Sequence, residues 1–337
     1  MKTILSGIQP SGRLHFGNYF GAIRQHIKMQ EEGDAFYFIA NYHSLTSLTN
    51  GDELRQNTID VTLDYLALGM NPERCTFFAQ SDVPQVVELY WILGALTPVS
   101  LMEKSVAYKD KVAQGLAANI GLFTYPVLQA ADILIYGSDL VPVGADQKQN
   151  LEISRDLAAK FNHTYGGEYL KIPDAYIVES VATVPGIDGR KMSKSYENAI
   201  NIFDEGKTLK KKVMSIETDS TDLEEPKDPD KCNIFALIKL FADKQKTDEI
   251  AEKYRAGGYG YGHAKKELLG LINDYFGEAR EKRRELEKNL DYVHDILREG
   301  SRKARLRAEE IMEPVRDATG VVRHFSLDQP EGKNVTS

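Results

Sequence analysis

Residues 2–22 read KTILSGIQPSGRLHFGNYFGA, and this stretch gives the clearest indication of the fold class. Its first seven residues form a short apolar run typical of a buried strand, and a helical pattern over 17–31 follows with little separation. Glycine-rich backbone between a strand and a helix lets the chain approach a ligand closely, often a phosphate. The stretch therefore predicts a strand–loop–helix unit with a nucleotide-binding turn.

Neither common nucleotide fingerprint is present in this turn. The P-loop pattern G-x-x-x-x-G-K-[ST] fails because Asn18 follows Gly17 where lysine is required, and G-x-G-x-x-G is absent. Imidazole and amide groups at a helix N-terminus nevertheless suit a polyanion. The polar side chains of the turn are Gln9, Ser11, His15 and Asn18.

The alternation of strands and helices continues along the first part of the chain. Aromatic-rich runs at 36–40 and 75–80 predict buried strands, with a helix over 52–69 between them. Helices over 124–136 and 146–161 flank an extended segment at 139–143. This order predicts an α/β fold with a doubly wound parallel sheet, whose ligands bind where strands end and helices begin.

The character of the chain changes after about residue 200. Strand-like runs disappear, and segments rich in Lys, Glu, Arg, Leu and Ala predict a C-terminal α-helical domain over 201–337. The predicted helices cover 231–245, 246–255, 262–274, 277–297 and 301–318.

The overall charge limits the classes of partner. A net charge of −8 over 337 residues argues against coating nucleic acid through bulk electrostatics, but allows local basic patches. A solvated helix face is the alternative interpretation of both patches. The candidate patches are Lys207 with Lys210, Lys211 and Lys212, and Arg298, Arg302, Lys303, Arg305 and Arg307.

Targeting and cysteine signals are weak. No apolar run reaches the roughly 18 residues of a membrane helix, and we expect no signal peptide, no membrane contact and a cytoplasmic protein. The only two cysteines, Cys75 and Cys232, lack metal-ligand spacing and predict buried thiols.

Two further segments carry chemistry. VPGIDGRKMSKSYEN, residues 184–198, places Lys191 and Lys194 on a Gly- and Ser-bearing loop that is suited to reach a triphosphate and to close over it. Taken alone, this segment is also compatible with a basic surface loop. VPVGADQKQN, residues 141–150, puts polar groups at a strand end.

Together these segments carry a family resemblance. The HFGN stretch at 15–18 and KMSKS at 191–195 resemble the two signatures of class I aminoacyl-tRNA synthetases. The longer strings SGIQPSGRLHFGNYFGAI, TYPVLQAADILIYGSDLVPVGADQKQNLEISRDLA and VPGIDGRKMSKS resemble the bacterial tryptophanyl branch of that family, over essentially the whole chain. The resemblance implies a Rossmann catalytic domain over 1–200, a helical anticodon-binding domain over 201–337 and a homodimer.

The implied reaction is a ligation. L-tryptophan and ATP would form an adenylate and release pyrophosphate, and the aminoacyl group would pass to tRNA(Trp), with Mg²⁺ bridging the ATP phosphates. No protein-bound metal is expected, and two cysteines are too few for an iron–sulfur cluster. The implied catalytic residues are His15, Lys111, Lys191 and Lys194, with Lys109 beside Lys111. The implied ATP contacts are Gln9, Ser11, Gly17, Asn18, Gly144, Asp146, Gln147, Val184, Lys191, Met192, Ser193, Lys194 and Ser195.

Amino-acid choice depends on the segment YPVLQAAD. Tyr125, Gln129 and Asp132 fall at i, i+4 and i+7 and therefore share a helix face. Because an indole N–H only donates, an ionised carboxylate is a fitting acceptor, and Asp132 is the candidate. The remaining members of the expected tryptophan site are Leu5, Ile133, Val141 and Val143 as an apolar slot, with His43 nearby.

Two alternatives remain at the level of the sequence. The Y-x-x-x-Q-x-x-D pattern also occurs in tyrosyl enzymes, and many tryptophanyl enzymes carry methionine at the position of Gln129. SGIQPSG, VPVGxDQ and Leu5 favour tryptophan. The second alternative is an idle paralogue that binds nucleotide or RNA, although the chain keeps the KMSKS lysines, Asn18 and Asp132. Departures from the family pattern are Phe16, Ala107 and Ala145.

Overall fold

The computed structural model describes residues 1–104, 108–109, 113, 115, 119–144, 147–177 and 183–321. Two of the expected site residues, Lys111 and Asp146, lie outside the described residues, as do Ala107 and Ala145.

A five-stranded sheet forms the centre of the first part of the chain. Its strand order is β3-β2-β1-β4-β5, and every neighbouring pair is parallel. The strands are β1 (Thr3–Ile8), β2 (Asp34–Ile39), β3 (Cys75–Ala79), β4 (Leu140–Val143) and β5 (Asp174–Ile177). This arrangement confirms the predicted doubly wound α/β fold. Strand β5 was not predicted.

The strand order reverses between β1 and β4, and a crevice at such a reversal is where ligands bind in open α/β sheets. The turn at residues 9–15 follows β1, and Gly144 follows β4, so both predicted nucleotide segments leave the sheet at this point.

Helices connect the strands. The helix predicted over 17–31 is in fact α1 (Phe16–Asn18), a π-helical segment (Tyr19–Ile23) and α2 (Arg24–Met29) in succession. A short 3₁₀ segment, Gln80–Asp82, follows β3. The other helices of this part are α3 (Asn41–Ser44), α4 (Gly51–Ala67), α5 (Gln85–Leu96), α6 (Val99–Glu103), α7 (Ile120–Leu134) and α8 (Lys148–Tyr165).

The later part of the described chain is helical, as predicted. Its helices are α9 (Gly206–Met214), α10 (Asn233–Phe241), α11 (Lys244–Ala256), α12 (Tyr261–Glu287) and α13 (Leu290–Thr319). Several predicted boundaries were wrong, because α12 continues through 275–276, α13 continues through Gly300, and the break between them at 288–289 lies inside the predicted helix 277–297. Helix α9 lies outside every predicted helix. Gly300 does not end a helix. It allows α13 to lie against β3, where a Cβ would overlap the carbonyl oxygen of Phe77.

Helices from the later part pack on both faces of the sheet. On one face, the Phe16 ring stacks on Phe276 with centroids 5.5 Å apart and meets the edge of Phe241 at 5.2 Å. On the other face, apolar residues of α13 join the core formed by α5, α7 and α8. The domain division at residue 200 stays a prediction, since packing is continuous across it.

No helix in the described part of the chain is long and apolar enough to cross a membrane.

Candidate active site

The turn after β1 is held by a reciprocal pair of hydrogen bonds. The His15 backbone N–H donates to Asn18 Oδ1 at 3.0 Å, and the Asn18 N–H donates to His15 Nδ1 at 3.3 Å. Burial, followed by the charge of Lys194, lowers the pKa of His15 to about 4. His15 is therefore neutral near pH 7. Because Nδ1 accepts a hydrogen bond, the proton lies on Nε2, which can donate to an anion.

Close packing at Gly17 joins this turn to the KMSKS segment. A Cβ at Gly17 would lie 2.9 Å from the His15 ring and 3.5 Å from Met192 Cβ. Glycine is therefore required here for space, which explains one of the glycines that mark the opening stretch.

The KMSKS segment has a defined shape, set by Asn198. The Met192 N–H donates to the Val184 carbonyl at 2.8 Å, which pairs the two sides of the loop. The buried Asn198 amide accepts from the Ser193 N–H at 2.8 Å and donates to the Lys191 carbonyl at 3.1 Å. The role of Asn198 was not predicted, because a local sequence pattern does not show which side chain turns inward.

Lys194 bridges the two motifs. Its ammonium donates to the Ser11 carbonyl at 2.8 Å, although the two residues are 183 positions apart in the chain. Burial lowers the pKa of Lys194. The structure thus brings the expected ATP contacts of the opening turn together with those of the loop. The other expected residues Gln9, Lys109, Gly144, Lys191 and Ser195 are exposed.

The Asp132 carboxylate lies buried at the expected amino-acid site, with 1% of its surface exposed. It accepts hydrogen bonds from Gln80 Nε2, at 2.8 Å to each oxygen, and pairs with His43 Nε2 at 2.8 Å. Burial raises the pKa of Asp132, and the hydrogen bonds from His43 and Gln80 oppose that shift.

Gln80 was missed by the sequence analysis. Its side chain is completely buried, and its Oε1 accepts from the Tyr42 N–H at 3.0 Å. That bond fixes the amide orientation and turns Nε2 towards Asp132. The sequence feature that could have identified Gln80 is its position, because it directly follows a buried strand at the edge of the sheet where ligands bind.

A second buried amide links two other expected residues. Asn150 Nδ2 donates to Gln129 Oε1 at 3.0 Å and to Gln147 Oε1 at 3.1 Å. Asn150 Oδ1 is buried and has no hydrogen-bond partner among the described residues. Asn150 was not among the predicted site residues, although it lies within the segment 141–150.

The apolar side chains of the expected slot lie in one place. The Tyr125 ring meets the His43 ring edge-on, with centroids 6.2 Å apart. Buried side chains that belong to a single core cluster are those of Leu5, Ile133, Val141 and Val143.

The basic run on α13 is largely neutralised locally. Arg302 pairs with Glu299 at 2.8 Å and Arg307 with Glu310 at 2.9 Å, each within one helical turn. These pairs favour the solvated-face interpretation for much of this run. Among the residues that the structure describes, no group of three or more His, Cys, Asp or Glu side chains is arranged to hold a metal ion.

The chain is similar over nearly its full length to known proteins of one family. The curated Tryptophan–tRNA ligase of Fusobacterium nucleatum is 58% identical over 322 residues, which cover 96% of this chain and 99% of that protein. The crystal structure of tryptophanyl-tRNA synthetase from Campylobacter jejuni complexed with ADP and tryptophan matches with a TM-score of 0.91 and 51% identity, covering 94% of this chain and 99% of that chain. The enzyme from Mycoplasma pneumoniae has a TM-score of 0.79 and 28% identity, covering 95% of this chain and 98% of its own.

The family model described as "tRNA synthetases class I (W and Y)" matches residues 1–277. Most of the chain is therefore covered by one family model, and the relatives above span nearly its full length. The chain belongs to the class I tRNA synthetases of the W and Y family.

Proposed function

We propose that this chain ligates L-tryptophan to tRNA(Trp), by forming tryptophanyl-adenylate from ATP with release of pyrophosphate and then transferring the aminoacyl group. The observation that carries this proposal is the buried Asp132 carboxylate, which lies among apolar side chains at the edge of the sheet that also holds the phosphate-binding turn. The relatives' function favours tryptophan over the tyrosine alternative and an active enzyme over an idle paralogue.

In the activation step, the tryptophan carboxylate attacks the α-phosphorus of ATP. A carboxyl–phosphate bond forms, and the bond from the α-phosphorus to pyrophosphate breaks. The protein supplies position and charge stabilisation rather than covalent chemistry.

We name the residues proposed to bind ATP the ATP half, formed by the turn 9–18 and the loop 184–198, with Gly144 and Gln147 from the segment after β4. We expect His15 Nε2–H to donate to a phosphate oxygen, because His15 is neutral and its Nδ1 is already engaged. Lys194 now donates to the Ser11 carbonyl, and we expect it to exchange that partner for the triphosphate when ATP binds. We expect further ATP contacts on the same loop from Lys191, Ser193 and Ser195. The nucleotide site would also be lined by Gly144, Gln147 and Val184.

We name the residues around Asp132 the tryptophan half. Asp132 accepts from the indole N–H, and Gln80 holds the carboxylate in position through both oxygens. The ring lies in the slot formed by Leu5, Ile133, Val141 and Val143. Phenylalanine is rejected because it leaves a buried acceptor without the donor for which the site is built.

Mg²⁺ enters as part of the ATP substrate. This ion prefers phosphate oxygens and retains water, so it requires few protein ligands. Because ATP and tRNA meet in the cytoplasm, we place the reaction there.

For tRNA, we propose that region 201–337 recognises the anticodon through local basic groups, and binding should therefore weaken as salt rises.

An exposed apolar face supports a homodimer. Trp91 on α5 is 76% exposed, and Val87 lies one turn before it. Val99 and Ile120, at the starts of α6 and α7, are also exposed. Patches of this kind usually mark an interface, and the resemblance implies a second copy of this chain as the occupant. Sedimentation should show a dimer for the wild type and a monomer for Trp91→Glu, whereas a wild-type monomer would contradict the homodimer.

Tryptophan-dependent exchange of labelled pyrophosphate into ATP tests the function directly. We expect exchange with tryptophan and none with phenylalanine. Exchange with tyrosine alone would assign the chain to the sister activity, and no exchange with either amino acid would support the idle paralogue.

A further inference from the structure

The short 3₁₀ segment Gln80–Asp82 is held on the side of the proposed tryptophan half by two neighbouring residues of α3. Asn41 Nδ2 donates to Ser81 Oγ at 2.8 Å, and the Ser81 N–H donates to Asn41 Oδ1 at 3.0 Å. The Tyr42 N–H donates to Gln80 Oε1, so the Gln80 amide has one orientation and donates to Asp132.

The same segment is held from the opposite side by the C-terminal helix. Ser301 Oγ, which is buried, donates to Asp82 Oδ2 at 2.8 Å. The Arg305 guanidinium, one turn further along α13, donates to the Asp82 backbone carbonyl. Gly300 makes this approach possible, because a side chain there would overlap the backbone of β3.

We propose that Ser301 and Arg305 are positioning residues for the tryptophan half. They fix the Asp82 end of the segment, and the segment in turn fixes the Gln80 amide against Asp132. This inference rests on the proposed function, because Asp132 is the proposed acceptor for the indole N–H.

The physical basis is the steep geometry of hydrogen bonds. Gln80 reaches both oxygens of Asp132 at 2.8 Å, and such bonds weaken rapidly once distance or angle changes. Without Ser301 or Arg305, one of the two contacts that fix the Asp82 end of the segment is lost, and we expect the hydrogen bonds from Gln80 to Asp132 to weaken. ATP contacts none of these residues in the proposed site, so the effect should be selective for tryptophan.

The test measures the KM values for tryptophan and ATP in pyrophosphate exchange. Ser301→Ala and Arg305→Ala should each raise the tryptophan KM by about threefold to tenfold, the range expected for one lost hydrogen bond. The ATP KM should stay within about twofold of the wild-type value. Glu313→Ala, at an exposed position on the same helix, is the matched control and should change neither KM.

A double-mutant cycle separates this route from general loosening. If Ser301 acts through Asp82, the Asp82→Ala/Ser301→Ala double variant should have the tryptophan KM of the Asp82→Ala variant. Asp82→Asn, which keeps an acceptor oxygen for Ser301, should restore a KM close to that of the wild type.

Three outcomes overturn the inference. If the wild type is active and the Ser301→Ala and Arg305→Ala variants have an unchanged tryptophan KM, this inference is wrong while the proposed function stands. Equal rises of the tryptophan and ATP KM values also overturn it, because they indicate structural damage rather than positioning. A wild type without tryptophan-dependent exchange overturns the proposed function and this inference together.

Discussion

The ATP half and the tryptophan half are built in different ways. The ATP half is formed mainly by two contiguous segments, which are joined by the Lys194 ammonium donating to the Ser11 carbonyl. The tryptophan half is assembled from side chains of separate elements, with Gln80, His43 and Asp132 joined in one buried cluster.

The difference concerns mobility and burial. A contact made by a partly exposed lysine can be exchanged for a ligand at small cost, which suits a loop that closes on ATP. A buried carboxylate with two side-chain partners is preorganised, and altering either partner leaves polar groups unsatisfied. We therefore expect substitutions in the ATP half to change rate and those in the tryptophan half to change affinity.

The largest expected effect is that of Lys194→Ala. Removing this charge should lower the rate of adenylate formation by about 100-fold, as for other charge-stabilising donors, while tryptophan affinity stays close to that of the wild type. Single-turnover formation of the adenylate measures it. Lys231→Ala removes an exposed lysine that pairs locally with Asp228 and is the control. A collapse of tryptophan affinity in the Lys194 variant would contradict the division between the halves.

The next effect is that of Asp132→Ala. The tryptophan KM should rise by about 30-fold, since a charge-assisted hydrogen bond to the indole is lost, and the ATP KM should change little. Steady-state exchange kinetics measure both values. Asp132→Asn retains an acceptor and should give an intermediate KM; equal rises for both substrates would exclude the assigned role.

A smaller effect is expected at Asn150, where the two halves meet. Asn150→Ala removes the donor to both Gln129 and Gln147, so the KM values for tryptophan and ATP should each rise by about fivefold. Gln129→Ala is the comparison variant and should raise only the tryptophan KM. An Asn150→Ala effect confined to one substrate would mean that this residue does not couple the halves.

The smallest effect concerns pH. The pKa of His15 is about 4 in the folded protein, against an ordinary value of 6.5, so its charge does not change between pH 8 and pH 6. The ATP KM should stay within about twofold over that range. An inflection near pH 6.5 would show that His15 titrates normally and would contradict the prediction.

The same shift predicts a direction for stability. Below pH 6.5 the unfolded chain binds the proton before the folded chain does, so this contribution to the free energy of unfolding is present above pH 6.5 and is lost as pH falls towards 4. Urea unfolding at a series of pH values, compared between the wild type and His15→Asn, measures it. If the free energy of unfolding changed with pH at the same slope in the wild type and in His15→Asn, the prediction would be wrong.

Local patterns predicted the alternation of β1, β2 and β3 with helices because burial on both faces of a parallel sheet leaves continuous apolar runs. The same approach failed at Gly300. A glycine within a helical pattern commonly indicates a helix end, but here the close approach of β3 requires it.

Residue types within short windows were enough to predict the fold class, the two segments proposed to bind ATP and the candidate Asp132. The side chains that surround these proposed groups became visible only in the folded structure. Gln80, Asn150 and Ser301 act through partners that are 21 to 219 residues distant, at Asp132, Gln129 and Asp82. Hydrogen bonds between distant residues depend on how elements pack, and a local pattern contains no information about that packing.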